Sequence, residues 1–298
     1  MNYKNITVAG SGVLGYQIAF QAAFHKFNVT VYDINDNILE KAKAKFTIMS
    51  EVFKKDLNAS QEQLDATYAN LSYNSNLSEA VKDADLIIEA VPENPEIKTE
   101  FYKKLAKVAV EKTVFVTNSS TLLPSQFAEA TGRPSKFLAL HFANDIWRNN
   151  TAEIMGHPQT DPEIFKDVVI FAKAIGMLAL PLHKEQPGYI LNSLLVPLLS
   201  AATELLVNEV ADPQTIDKTW MKATGAPVGP FAILDIVGIK TVYNINKMAS
   251  EQTQDPLKIK TTEYLKKNFI DTNKLGVSTG EGFYTYPDPA FKSKEFLS

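Results

Sequence analysis

The sequence predicts an α/β protein: a doubly wound, mostly parallel sheet carrying a helical-hairpin insert, followed by an all-α C-terminal domain. Three observations carry this. The apolar run Ile6-Thr7-Val8-Ala9 enters a glycine turn that opens a helical pattern. Through the first half, near-continuous apolar runs alternate with amphipathic stretches, as expected of strands covered on both faces by helices. After Gln186-Pro187-Gly188 the strand signals fade and apolar residues recur at helical spacing. For 298 residues, at roughly 150 per domain, this divides the chain into domains 1–186 and 187–298.

The elements follow in order. Ile6–Ala9 reads as a strand, Leu14 to His25 as a helix and Val29–Tyr32 as the second strand. From Asn35 to about Asn70 the chain is Lys-rich and helical, with a turn at Asn58-Ala59-Ser60 and Glu62 behind it. That signature starts a new helix, so the stretch reads as two antiparallel helices inserted after the second strand. Further strands are expected at Asp85–Ala90, Thr113–Thr117, Lys136–His141, Ala152–Met155 and Leu178–Leu182. In the second domain, Leu191 to Leu206 presents one broad apolar face, with Pro197 expected to kink it. Asp212-Pro213, Gly229 and Asp255-Pro256 precede three more helices, over 215–222, 230–250 and 255–269. A last strand is expected at Gly282-Phe283-Tyr284.

Composition narrows the function. Lys plus Arg is 30 against 34 Asp plus Glu, a net charge of -4 that gives no basic footprint for nucleic acid. The chain has no cysteine, which removes disulfides, thiolate metal sites and thiol catalysis and suits a reducing compartment. The N-terminus lacks a signal-peptide pattern, and no segment approaches the ~20 apolar residues of a membrane span. The expectation is a cytoplasmic protein with a small-molecule substrate and no membrane or nucleic-acid partner.

Gly10-Ser11-Gly12-Val13-Leu14-Gly15 matches G-x-G-x-x-G between a strand and a helix, the context the motif needs. Gly10 permits a tight turn, Gly12 lets backbone approach a pyrophosphate, and Gly15 lets helix and strand pack closely. The N-terminus opening at Val13 and Leu14 faces the negative charge. Asp33 ends the second strand, where a carboxylate accepts ribose hydroxyls and repels a 2′-phosphate. Ile34, Asn35 and Asp36 add no cation. NAD is therefore expected over NADP. Of four histidines, His141 lies at the carboxyl end of a buried strand, the edge where open α/β sheets bind ligands. By position alone, a satisfied core histidine and a catalytic one fit equally. Asn118-Ser119-Ser120 and Val91-Pro92-Glu93-Asn94 leave neighbouring strands at the same edge, with Lys98 one turn into the following helix.

These residues resemble the L-3-hydroxyacyl-CoA dehydrogenase family, including 3-hydroxybutyryl-CoA dehydrogenases. The resemblance runs from the glycine loop through Ala84-Asp85-Leu86-Ile87-Ile88-Glu89-Ala90-Val91-Pro92-Glu93, Asn118-Ser119-Ser120 and His141-Phe142. It continues through Pro187-Gly188-Tyr189-Ile190-Leu191-Asn192 and Gly229-Pro230-Phe231-Ala232-Ile233-Leu234-Asp235 to Gly280-Glu281-Gly282-Phe283-Tyr284. It implies a Rossmann-like NAD-binding domain and a helical domain that forms a homodimer. It also implies catalytic roles for His141 as acid–base, Glu153 as its partner, and Ser120 and Asn192 on the reacting oxygen. Cofactor contacts are implied for Asp33, Glu93, Lys98, Asn118 and Asn144, alongside Gly10, Gly12, Val13, Leu14 and Gly15. No metal is expected. A carboxylate on the far ring nitrogen would fix the imidazole tautomer and strengthen its hold on a proton.

The chain departs from the family where His141 is followed by Phe142-Ala143-Asn144-Asp145-Ile146-Trp147-Arg148, without the usual Pro after the Asn, and where Ser193 follows Asn192. These departures resemble the diketoreductase branch, which reduces β,δ-diketo esters with NADH. Three readings result: a 3-hydroxyacyl-CoA dehydrogenase, a reductase of non-CoA 3-oxo or diketo compounds, and a non-catalytic NAD-binding protein of the lens-crystallin kind. Arg148 could meet an anionic substrate group and Trp147 an aromatic or acyl one, or both could be ordinary loop residues.

Overall fold

The apolar runs of the first half become eight strands: β1 (Asn5–Ala9), β2 (Asn28–Tyr32), β3 (Leu71–Asn74), β4 (Leu86–Glu89), β5 (Val114–Thr117), β6 (Phe137–Phe142), β7 (Thr151–Met155) and β8 (Leu178–Leu182). They form one sheet in the order β3-β2-β1-β4-β5-β6-β7-β8, in a computed structural model that describes residues 3–298. β1 to β6 pair in parallel, β7 runs antiparallel to β6, and β8 is parallel to β7. The order reverses between β1 and β4, so the connections leaving these strands diverge and open a crevice at their carboxyl ends.

Alternate residues of each strand serve opposite faces. Ile6, Val8, Val31, Ile88, Val116 and Leu140 join the core beneath α1 (Val13–Phe24) and α6 (Pro162–Ala174). Ala9, Ile87, Phe115 and Phe137 face the other way, toward α4 (Leu77–Val81) and α5 (Pro95–Val108). The insert is α2 (Asp36–Leu57) and α3 (Gln61–Ala69), reversed by Asn58 in the left-handed region and restarted by a capping box at Ser60 and Gln63. The sequence reading passes over β3. Leu71-Ser72-Tyr73-Asn74 is half polar, as suits an edge strand paired on one side only.

Contacts divide the chain into residues 1–191 and 192–298. The helix α7 (Tyr189–Val207) begins in the first unit and continues into the second. By length and composition alone it is the one helix among the described residues that could cross a membrane, at a mean hydropathy of 1.8. It carries Glu204 and sends Leu199, Ala202 and Leu206 into the second unit's core.

The second unit adds α8 (Pro213–Thr224), α9 (Pro230–Val237), α10 (Ile239–Thr253) and α11 (Pro256–Leu265). One helix over 230–250 is thus corrected to two: Gly238 at φ 92 breaks the run. The strand expected at Gly282–Tyr284 is also corrected, since only isolated bridges joining Glu281 to Gly276 and Thr285 form there. Two buried aspartates explain the motifs around these helices. Asp217 accepts the Phe231 and Ala232 amides that open α9 and the Tyr284 hydroxyl. Asp235 accepts the Phe283 and Tyr284 amides and the Tyr286 hydroxyl. A Cβ on Gly229 would lie 2.2 Å from the Asp217 carboxyl carbon, and one on Gly282 2.1 Å from an Asp235 oxygen.

Candidate active site

Because β1, β4, β5 and β6 are parallel, the loops that follow them meet at one edge of the sheet. At β1, Gly10 adopts φ +98, and a Cβ there would stand 2.5 Å from the Ala90 carbonyl oxygen. A Cβ on Gly15 would be 1.8 Å from the Gly10 oxygen, so helix and loop touch backbone to backbone. A Cβ on Gly12 would meet nothing within 4 Å: the loop is open just where it turns into α1. α2, α3 and α5 begin with side-chain caps from Asn35, Ser60 and Asn94. α1 has no side-chain cap and no acid in its first turn, which leaves its positive end turned to a ligand. Asp33 reaches across from β2. Its Oδ2 accepts the Ser11 amide at 2.8 Å and hydroxyl at 2.7 Å, and its Oδ1 the Ile34 amide.

β4 brings a carboxylate into the sheet. Glu89 is fully buried and satisfied by the Lys98 ammonium (2.6 Å), the Tyr102 and Thr117 hydroxyls and the Val91 amide. Lys98 is buried too, and its ammonium also lies 3.3 Å from Glu93. Glu93 Oε1 accepts the Ser119 hydroxyl, the Ser120 amide, and the Thr121 amide and hydroxyl, between 2.6 and 3.0 Å. Burial works against its charge, but Ser119 and Lys98 outweigh that and hold the carboxyl below its usual range. The turn that carries Ser120 is thus built around Glu93. Asn118 Oδ1 accepts the Phe142 amide, tying this turn to the end of β6.

β6 and β7 place His141 directly opposite Glu153 in an antiparallel ladder. Both side chains therefore fall on one face, which is why partners twelve residues apart meet. Nδ1 of His141 lies 3.1 Å from Glu153 Oε2, and Nε2 lies 3.1 Å from Ser120 Oγ. The other carboxylate oxygen of Glu153 accepts the Ile190 and Leu191 amides at 2.9 and 3.0 Å, the opening turn of α7. Burial opposes ionisation, yet His141 and the Leu191 and Ile190 amides more than offset it, so the Glu153 carboxyl sits below its usual range. An ionised carboxylate only accepts, so Nδ1 carries the proton and the lone pair of the neutral ring is on Nε2, facing Ser120. Tyr189 stacks on the imidazole with centroids 4.5 Å apart and donates its hydroxyl to the Ser119 carbonyl. It does so from φ 55, a left-handed conformation uncommon for an aromatic residue.

The loop between β6 and β7 is held at both flanks. Gln17 of α1 donates to Asn144 Oδ1 and accepts the Ile146 amide. Asp56 of α2 accepts the Trp147 indole N–H and the Arg148 Nε–H, both at 2.8 Å. Trp147 and Arg148 are thus engaged by the insert.

Residues 5–186 match the NAD binding domain of 3-hydroxyacyl-CoA dehydrogenase, and residues 188–286 match its C-terminal domain. The mitochondrial hydroxyacyl-coenzyme A dehydrogenase of Homo sapiens is 33% identical over 95% of this chain and 91% of its own. The probable 3-hydroxybutyryl-CoA dehydrogenase of Bacillus subtilis (strain 168) is 30% identical over 97% of this chain and 99% of its own. A solved diketoreductase, described as catalysing on dicarbonyl compounds, is 54% identical over 96% of this chain and 100% of its own, with a TM-score of 0.91. The chain belongs to the 3-hydroxyacyl-CoA dehydrogenase family.

It is accordingly an NAD-dependent oxidoreductase of the Rossmann-like kind. The residues present fit NAD: the open position at Gly12, the α1 N-terminus left to a ligand and the Asp33 carboxylate at the loop are what a dinucleotide requires. The structure brings Ser120, His141 and Glu153 into one hydrogen-bonded series, and Glu93, Lys98 and Asn118 into the turn behind it. Asn144 lies in the β6–β7 loop, and Asn192 on the first turn of α7. Among the described residues no cluster of His, Asp or Glu could hold a metal. Sequence reasoning assigned no role to Glu89, Tyr189, Gln17 or Asp56. A charge inside the apolar run Leu86–Glu89 was the available signal for Glu89. The others act through contacts far apart in sequence.

Proposed function

We propose that this protein interconverts a 3-hydroxy and a 3-oxo acyl compound, with His141 as the acid–base group and Glu153 as its partner. The observation that carries the reading is the series from Ser120 Oγ through His141 to Glu153, each link at 3.1 Å, at the edge that holds the glycine loop. NAD, when bound, supplies hydride to the carbonyl carbon or accepts it from the alcohol. In reduction, imidazolium His141 donates the Nε2 proton to the oxygen of that carbonyl. In oxidation, the neutral ring takes the hydroxyl proton back. Glu153 stays ionised, fixes the tautomer and stabilises the imidazolium. The Ser120 hydroxyl donates to the oxygen as its charge develops, and Asn192 is assigned the same task. Asp33 is assigned to the ribose hydroxyls, and Glu93, Lys98, Asn118 and Asn144 to the walls of the cofactor site.

The substrate class is a 3-hydroxyacyl-CoA, as in the family. A second reading, reduction of free dicarbonyl esters with NADH, is favoured by the 54% identity to a diketoreductase. NADH oxidation with acetoacetyl-CoA, free acetoacetate and a 3,5-diketo ester separates them. Turnover of the thioester alone supports the first reading, and turnover of the ester supports the second. No turnover with any of them counts against the 3-oxo acyl reading. A cytoplasmic homodimer completes the proposal. Exposed Leu194 and Val196 on α7 and Ile245 and Met248 on α10 support the dimer, and its mass in solution tests it.

A further inference from the structure

The loop between β6 and β7 buries Ile146 in the core, exposes Arg148, Asn149 and Asn150, and makes only local bonds within itself. The Arg148 and Asn149 amides donate to the Asp145 carbonyl, and the Asn149 side chain to the Asn144 carbonyl. Turn bonds alone leave a loop tip mobile. Gln17 holds the start of the loop through Asn144 and Ile146, and the tip at Trp147 and Arg148 is fixed by a residue that sits where helix physics disfavours it. Asp56 lies in the last turn of α2, where the helix dipole favours cations, and Lys54 and Lys55 are there. Its Oδ2 holds the Trp147 indole and the Arg148 guanidinium together, each at 2.8 Å. The Trp147 ring packs on Phe53, on the same face of α2 one turn earlier, and Phe53 is buried against Phe20 and Phe24. Arg148, then Trp147, hold the Asp56 carboxyl below its usual range. A local rule broken with two compensating bonds marks a functional position.

We propose that Asp56 is a positioning residue for the substrate: by clasping Trp147 and Arg148 it fixes the loop joining the two acid–base strands, and so sets how tightly a 3-oxo compound is held. This rests on the 3-oxo reductase reading above. The His141–Glu153 pair is set by the β6–β7 ladder itself, so the clasp governs binding more than chemistry. Asp56→Ala raises KM about tenfold, lowers kcat by less than about threefold and leaves the NADH Kd within about twofold. Asp56→Asn, whose carboxamide oxygen still accepts, restores most of the KM.

A spectroscopic arm reports the clasp without turnover. Trp147 and Trp220 are the only tryptophans, so a Trp220→Phe background isolates Trp147, and Asp56→Ala in it shifts the emission to the red. An unchanged emission overturns the proposal. So does a red shift with an unchanged KM, which makes the clasp structural only. Should Asp56→Ala not fold, Trp147→Phe keeps the ring on Phe53 and removes the N–H, and an unchanged KM there overturns the proposal too. If wild-type protein turns over no 3-oxo compound, the functional reading fails and takes the positioning role with it, whereas an unchanged KM or emission in an active enzyme overturns the clasp alone.

Discussion

Replacing Glu153 by Gln tests the acid–base pair most sharply, because it keeps the shape and changes what each atom can do. Glu153 accepts on both sides: His141 Nδ1 on Oε2, and the Ile190 and Leu191 amides on Oε1. A carboxamide has one accepting oxygen and one donating nitrogen. If its oxygen keeps the two amides, its NH2 faces Nδ1, which must then accept. The ring proton moves to Nε2, so the neutral ring can no longer take the hydroxyl proton in oxidation, and in reduction the imidazolium that should donate has lost the carboxylate that stabilises it. The flipped amide keeps Nδ1–H but sets its NH2 against two N–H donors, so the first arrangement wins. Losing a positioned acid–base group costs about 10²–10⁴ in rate. At 1.36 kcal/mol per tenfold, that is about 2.7–5.4 kcal/mol of barrier. Initial rates of NADH oxidation, with NADH Kd from cofactor fluorescence, should show kcat/KM lower by that factor and Kd within about twofold. A variant within tenfold of wild type at an unchanged Kd would refute the argument.

Gly15→Ala drives a Cβ to 1.8 Å from the Gly10 oxygen, so the loop must shift, and titration calorimetry should find NADH binding weakened at least about tenfold. Glu93→Gln turns an amide toward the Lys98 ammonium and loosens the turn that holds Ser120. It should lower kcat about tenfold with little change in melting temperature. Asp217→Asn loses one of three accepted bonds and should destabilise the second unit by about 1–3 kcal/mol in urea, followed by Trp220 emission. Its pH dependence has a definite sign. Burial lifts the Asp217 carboxyl above its ordinary range, so the native state binds that proton more tightly than the unfolded chain. Stability of the second unit then falls as pH rises from the ordinary carboxylate value of ~3.9 through the raised native value. The slope over that window should be shallower in Asp217→Asn, and an equal slope would remove Asp217 as its cause.

The sheet was legible in the sequence wherever strands are apolar on both faces, because that pattern has no other ready explanation. It failed at β3, where an edge position tolerates Ser72 and Asn74; among the helices the reading failed at Gly238, which reads as a tolerated glycine until its φ of 92 is known. The glycine loop was legible because its spacing encodes local backbone needs. His141 could be placed at a strand end, but its partner could not be derived from composition or periodicity. Pairing it with Glu153 needs the β6–β7 register, and resemblance alone suggested it. Asp56 and Trp147 lie 91 positions apart, and Tyr189 meets Ser119 across 70. Neither contact leaves a periodic trace, since only the fold brings these residues together.

The ladder that sets His141 opposite Glu153 also frees the segment linking them from having to hold that pair together. Pairing between β6 and β7 holds whatever number of residues arches over its end, so insertions and deletions there leave the acid–base pair intact. A one-residue slip within the strands, by contrast, would turn Glu153 to the opposite side of the sheet and abolish the pair at a stroke. Evolution can therefore revise what this scaffold accepts by rewriting the linking positions around Asn144 and the buried Ile146, while the proton-handling residues stay under a separate and much stricter selection.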